Sequence, residues 1–153
     1  MELQDIQDFY DLSPLALTSG QPSAEQFELI HSAGVNLVIN LAQIREGAGL
    51  AGEDELVKSL GMEYIPIPVI WDHPQPADLD KFFEVMQRSR GRKIYVHCIR
   101  NMRVSAFMFL YRVLCLGIDP SAARQDMEML WEPNETWAAF IAERLASATL
   151  PED

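Results

Sequence analysis

At 153 residues, 48% of them apolar, the chain has the size of one compact domain and enough apolar material for a core without disulfide or metal staples. Its net charge of −11 argues against a general nucleic-acid or anionic-membrane binder, because affinity for those polyanions rests on clustered Lys and Arg. No apolar run approaches the roughly 18 residues of a membrane span. The acidic opening MELQDIQDFYDLSP lacks the basic and then apolar order of a signal peptide. A cytoplasmic protein with no membrane and no nucleic-acid partner is expected.

Taken in chain order, a short strand is predicted around Leu15 to Ser19. A helix follows, announced by Pro22-Ser23-Ala24-Glu25-Gln26, in which Ser23 caps the backbone and Gln26 closes a capping box. It runs to about Ala33. Three stretches then have the β-branched look of buried central strands: Val35 to Leu41, Met62 to Val69 and Lys93 to Cys98. Each follows a helical pattern ending in a glycine (Gly34, Gly61 and Gly91), the usual left-handed helix C-cap. The intervening helices are placed at Glu53 to Leu60 and Ala77 to Ser89, the second with Leu79, Phe82, Phe83 and Met86 on one face and Asp78 as its candidate cap. Beyond Cys98 helices are placed at about Arg103 to Leu116, Pro120 to Leu130 and Glu135 to Ala146. The Asn134-Glu135-Thr136 sequon reads as cap chemistry for the last of these. Met127, Met129, Leu130 and Trp131 read as core. The expected fold is α/β, with a central, mostly parallel sheet of about four strands flanked by helices and residues 1–153 forming one domain.

Two cysteines, Cys98 and Cys115, are too few for a disulfide framework. His31, His73 and His97 are too scattered for a metal site, so neither metal nor cofactor is expected. The charge is uneven. Residues 81–112 hold eight of the twelve basic residues (Lys81, Arg88, Arg90, Arg92, Lys93, Arg100, Arg103 and Arg112) against one acid, Glu84. A local positive field on an acidic body suits a small or locally presented anion.

The stretch from Lys93 to Leu110, KIYVHCIRNMRVSAFMFL, delivers a cysteine from a buried strand to a short polar loop that runs into a helix. By strand position alone, Cys98 is a small apolar residue closing a central strand. The neighbours argue otherwise. Backbone N–H groups of such a loop and of the first helical turn lack intrahelical partners and favour an anion above them. The same field stabilises a thiolate and makes it nucleophilic. Arg100 and Arg103 strengthen both effects, and an arginine can grip a phosphate through two parallel hydrogen bonds. Cys115, among Leu110, Val113, Leu114 and Leu116, reads as core.

The segment HCIRNMRVS resembles the signature loop of the protein tyrosine and dual-specificity phosphatases, in which His-Cys is followed by five residues, an Arg and a Ser or Thr. Leu17 to Leu41, which contains Ser19-Gly20-Gln21-Pro22, is similar to the opening of the small bacterial phosphatase-like branch of that superfamily. The likeness spans roughly Leu17 to Leu116. Arg103 is the fifth residue after Cys98 where the family has its arginine sixth, a place held here by Val104; Ser105 falls at the family's Ser/Thr position. Asn101 stands where a loop glycine is common and accepts left-handed backbone angles.

The resemblance implies a phosphomonoester hydrolase. Cys98 would form a cysteinyl-phosphate, held by the loop Ile99, Arg100, Asn101, Met102, Arg103 and Val104, with the Arg103 guanidinium on the equatorial oxygens. Ser105 would ease the thiolate's departure and His97 would shape the loop. Asp72, after the third predicted strand, is the candidate general acid, with His73 as an alternative. Arg45 is a candidate substrate contact, and Trp71 a packing or lid residue. Implied ligands are a phosphorylated small molecule or phosphoprotein, with inorganic phosphate, sulfate or vanadate in the loop. Two alternatives share the cysteine loop. A Cys-x4-Arg spacing also resembles rhodanese-like sulfurtransferases, which would carry a Cys98 persulfide, and a loop without a working acid would bind phosphate or phosphopeptide without turnover.

Overall fold

The strand that carries the cysteine lies at the centre of the sheet. The computed structural model describes residues 1–43 and 49–149, so Arg45 lies outside the described residues. Five strands, β1 (Tyr10–Leu12), β2 (Ala16–Ser19), β3 (Leu37–Asn40), β4 (Glu63–Pro66) and β5 (Ile94–His97), form one sheet in the order β1-β2-β5-β3-β4. Strand β5 pairs in parallel with β2 and β3, and β4 adds in parallel to β3. The fifth strand was not expected: β1 closes the edge as an antiparallel hairpin with β2. Its three residues, half-exposed with Asp11 in the middle, are too short and too polar to show a strand pattern.

The helices are α1 (Ala24–Ser32), α2 (Glu53–Ser59), α3 (Pro76–Arg88), α4 (Met102–Leu114), α5 (Pro120–Glu128) and α6 (Glu135–Thr149), with a 3-10 turn at Leu3–Asp5. The Ser23–Gln26 capping box forms as read. Gly34, Gly61 and Gly91 all adopt positive φ, and the Asn134 side chain caps α6 by accepting from the Trp137 N–H at 2.9 Å. Asp78 is not the cap of α3. Pro76, whose missing N–H costs nothing at a first helical position, starts that helix with Gln75 at its N-cap and leaves Asp78 in its first turn.

Strand parity sorts the side chains into two cores. Ile94, Val96 and Cys98 face a core shared with α3, α4, α5 and α6, whose buried members include Phe82, Phe107, Met127 and Trp137. Tyr95 faces the other core, beneath α1 and α2, with Phe27, Ile30, Val57 and Tyr64. Consecutive residues of one strand therefore address opposite faces of the sheet, and His97 and Cys98 inherit that division. Met127 is buried as read, but Met129 is 72% exposed; one residue of rotation past the α5 C-terminus takes it off the packed face. No helix among the described residues is long and apolar enough to cross a membrane.

Candidate active site

Three parallel strands end side by side, at Ser19, Asn40 and His97, and the loop after β5 leaves from the middle of that edge. Ligands in open α/β sheets gather at the carboxyl ends of strands. Here Trp71, Cys98, Ile99, Arg100, Met102 and Arg103 line a cavity of about 200 Å³. The cavity is open and mostly apolar, with two guanidinium groups and, among its described lining residues, no carboxylate.

The loop is built to leave amides unused. Asn101 precedes α4 with φ at 64°, the left-handed turn predicted for it. Among the described residues, the N–H groups of Ile99, Arg100, Asn101, Met102 and Val104 donate no backbone hydrogen bond. Five free donors at the start of a thirteen-residue helix make an anion cradle. The loop carbonyls, by contrast, are occupied: Cys98 O by the His97 ring at 3.1 Å and Ile99 O by the Gln21 N–H at 3.0 Å.

Gly20 shows why the Ser-Gly-Gln-Pro segment has its composition. A Cβ there would stand 2.5 Å from Ile99 O and 3.2 Å from Arg100 Cα, so only glycine lets β2 continue past the loop. The loop is also clasped from outside. The Asn101 side-chain amide donates to Asp8 O at 2.9 Å and to Thr18 Oγ1 at 3.0 Å.

Of the eight basic residues grouped in the sequence, only Arg100 and Arg103 line the cavity. Arg100 is exposed at its rim. Arg103 is 8% exposed, donates to Val69 O at 2.8 Å and lies with its guanidinium 5.7 Å from the centre of the Trp71 ring. The others are placed elsewhere: Arg92 pairs with Glu63 at 2.6 Å, Arg88 with Glu84 at 3.6 Å and Arg112 with Asp126. The charge cluster in the sequence is thus mostly a set of separate surface contacts.

Trp71 is half-buried on the turn after β4, and its carbonyl accepts from Trp137 Nε1 at 2.8 Å. The Trp71 ring lies 5.5 Å from that of Trp131 and 5.9 Å from that of Trp137. Trp71 is therefore a packing element fixed to the C-terminal helices. Asp72 and His73 follow it, both exposed, and neither lines the cavity. Ser105 Oγ donates to Met102 O at 2.9 Å and accepts from Trp131 Nε1 at 3.0 Å. Cys98 is 1% exposed, while Cys115 is half-buried near the end of α4, where burial raises its thiol pKa.

Beneath the loop, on the α1–α2 face, lies a network that the sequence reading missed. His97 Nε2 is 2.7 Å from Glu53 Oε2, with the two side chains 0% and 2% exposed. Glu53 also accepts from Gln21 Nε2 at 2.7 Å, Asn40 Nδ2 at 3.1 Å and Tyr64 OH at 3.0 Å. Burial works against ionisation of Glu53, but the His97 hydrogen bond and charge, with Gln21 and Tyr64, outweigh it and hold the carboxyl below its usual range. Burial first, and then the nearby Glu53 charge, raises the Tyr64 hydroxyl pKa. The available signal was Asn40, an amide inside an otherwise apolar strand. Among the described residues no group of His, Cys, Asp and Glu could hold a metal ion.

No family model matches the chain, and no curated protein matches it. Among solved structures it is similar to a candidate phosphatase of the DUF442 family from Shewanella putrefaciens CN-32, at 35% identity and a TM-score of 0.86, over 95% of this chain and 96% of that one. It also shares its fold with TpbA of P. aeruginosa in complex with pTyr (19% identity, TM-score 0.70, 97% and 94% covered). The core catalytic domain of the PP-IP phosphatase SIW14 from S. cerevisiae, in complex with citrate, has the same fold (16% identity, TM-score 0.75, 93% and 92% covered). With the cysteine loop at the sheet's carboxyl edge and a relative this similar over nearly its whole length, the chain belongs to the DUF442 family, as that candidate phosphatase does.

Proposed function

We propose that residues 1–153 act as one cysteine-dependent phosphatase domain that hydrolyses a phosphomonoester through a cysteinyl-phosphate. The observation that carries this reading is the cradle of unused amides next to Cys98, in a cavity lined by Arg100 and Arg103. A phosphate seated there places its oxygens on the amides and guanidinium groups and its phosphorus toward the sulfur. The Cys98 thiolate attacks phosphorus, an S–P bond forms, the ester O–P bond breaks, and the leaving oxygen takes a proton from an acid. Water then attacks the cysteinyl-phosphate and releases inorganic phosphate and the thiolate. That TpbA was solved with pTyr and SIW14 with citrate, both anions, supports an anionic ligand for this chain.

Asp72 is the proposed acid, with His73 the alternative on the same turn, reaching the leaving group from the Trp71 side of the cavity. Ser105 is proposed to assist thiolate departure by turning its hydroxyl from Met102 O toward the sulfur. The exposure of Asp72 outside the cavity lining favours a second reading, in which the loop binds a phosphate group and turns it over poorly. The sulfurtransferase alternative gains nothing from the fold or from the relatives.

The test measures release of inorganic phosphate from an aryl and an alkyl phosphate, alongside iodoacetamide labelling of Cys98 with and without vanadate. Phosphate release that Cys98→Ser abolishes, with vanadate protecting Cys98, is the expected result. Asp72→Asn should slow the alkyl ester more than the aryl ester, by roughly 10²- to 10⁴-fold. Vanadate protection without phosphate release would establish the binding reading instead. Rapid Cys98 labelling that no oxyanion slows would end both.

A further inference from the structure

The ring of His97 faces two acceptors. Nδ1 lies 3.1 Å from Cys98 O and Nε2 lies 2.7 Å from Glu53 Oε2. A carbonyl oxygen has no proton to give, so Nδ1 carries one. Glu53 receives three further donors, Gln21 on Oε1 and Asn40 and Tyr64 on Oε2, and a carboxyl group so placed is ionised. Glu53 Oε2 therefore accepts from His97 Nε2 as well, and the ring bridges the carboxylate and Cys98 O. These four partners come from the β2–α1 connection, β3, β4 and β5; Asp54 is the further charge that bears on Tyr64. A carboxylate this deep costs desolvation that its partners barely repay, which makes its location informative.

Its location is one residue from the nucleophile, and the geometry of the peptide group carries its effect onward. The Cys98–Ile99 peptide is trans, so turning its C=O toward His97 turns the Ile99 N–H to the opposite side. That is the side of the cavity that Ile99 lines. The next peptide repeats the arrangement: the Gln21 N–H holds Ile99 O at 3.0 Å, which turns the Arg100 N–H the same way. The Gln21 side chain is itself fixed on Glu53. Both anchored carbonyls trace back to one carboxylate.

We infer that Glu53 is a positioning residue for the anion loop, which through His97 and Gln21 turns the first two loop carbonyls away from the cavity and presents the Ile99 and Arg100 N–H groups to a bound oxyanion. This rests on the reading of that loop as an oxyanion cradle. Glu53→Gln keeps the side chain's size but removes the charge. The ring then faces a neutral amide in place of a carboxylate, and Gln21 Nε2 loses its charged acceptor, so both holds on the loop weaken. The peptide loses its anchor.

The experiment compares wild type, Glu53→Gln and Tyr64→Phe by vanadate protection of Cys98 against iodoacetamide, by thermal melting and by ¹⁵N NMR of the His97 ring. Tyr64→Phe removes a neighbouring donor from the same carboxylate while leaving the Glu53–His97 and Glu53–Gln21 hydrogen bonds in place, so it lowers stability without breaking either anchor. The expected result is a His97 Nε2 resonance shifted by its hydrogen bond to Glu53 in wild type and Tyr64→Phe, and a changed Nε2 resonance in Glu53→Gln. Vanadate affinity should fall roughly tenfold to a hundredfold in Glu53→Gln and stay near wild type in Tyr64→Phe, although both melt lower. Equal losses of affinity in the two variants, or wild-type affinity in Glu53→Gln, would overturn the inference. Should Glu53→Gln not fold, the NMR reading of wild type decides, since a His97 Nδ1 that carries no proton, and so cannot donate to Cys98 O, removes the basis of the claim. Failure of wild type to bind vanadate would instead overturn the cradle reading and the positioning role with it.

Discussion

Two residues test how tightly the loop is specified, because each tolerates almost nothing else. A methyl group at Gly20 would meet a backbone oxygen at 2.5 Å, and backbone cannot move aside as a side-chain tip can. Gly20→Ala should cost about 1–3 kcal/mol as overpacking, seen as a lower urea midpoint, and should weaken vanadate protection of Cys98 as the loop is pushed outward. An unchanged protection constant would mean that the strand yields and not the loop. Asn101 combines a left-handed backbone with a two-bond amide clasp to Asp8 and Thr18. Glycine keeps the backbone and loses the clasp, whereas alanine loses both and adds roughly 1–2 kcal/mol of left-handed strain. Stability should therefore fall in the order wild type, Asn101→Gly, Asn101→Ala, and an alanine variant as stable as the glycine variant would contradict the strain argument. Asn101's left-handed backbone was legible because Asn stands where the signature loop commonly has a glycine; its clasp was not. The roles of Gln21, Asn40, Glu53 and Tyr64 were not, because strand parity brings them together from four separate elements and nothing in local spacing marks their meeting.

At the scale of elements, the turn after β4 is the least sequence-evident part of the site. Its prolines and Trp71 announced a turn, but only the fold shows that Trp71, Trp131 and Trp137 come together and that the Trp137 indole N–H holds the Trp71 carbonyl. Helix α6, far from Cys98 in sequence, thereby positions the turn that carries Asp72. The strands and helices around it were readable to within three residues, since buried β-branched runs and glycine caps are local signals. Strand β1 was not, because its place depends on pairing with β2 and on the Tyr10 hydroxyl reaching Asp126 in α5. Replacing Trp137 with Phe preserves most of the ring packing and deletes one hydrogen bond, worth about 1 kcal/mol. The amide of His73, which bonds to Ile70 O at 3.1 Å, should then exchange faster with solvent, while those of β5 hold their protection. Uniform acceleration across the sheet would show that Trp137 supports the whole core and not the turn in particular.

Over the whole molecule, two buried or half-buried clusters on opposite sides of the sheet make stability depend on pH at both ends of the scale. Glu53 and Asp126 both have carboxyl pKa values below their ordinary ones of 4.5 and 3.8. In each case burial opposes ionisation; His97 with Gln21 and Tyr64 overcomes it at Glu53, and Tyr10 with Arg112 at Asp126. A depressed carboxyl contributes its full stability above the unfolded value and loses it as pH falls through the folded one, so the melting temperature should drop below about pH 4.5. Tyr10 runs the other way. Its hydrogen bond to Asp126, followed by burial and the Asp126 charge, pushes its hydroxyl from 10.0 up to about 12. The neutral phenol is the form the fold prefers, so this contribution is whole below pH 10 and is lost as pH rises toward 12. Tyr10→Phe should lower the melting temperature at pH 8 and flatten the decline between pH 10 and 12, leaving the acid limb largely in place through Glu53. Glu53→Gln should do the reverse, flattening the acid limb while the alkaline one persists. A single variant that flattens both limbs would mean that the two clusters are coupled through the sheet, and the assignment of one limb to each would have to be abandoned.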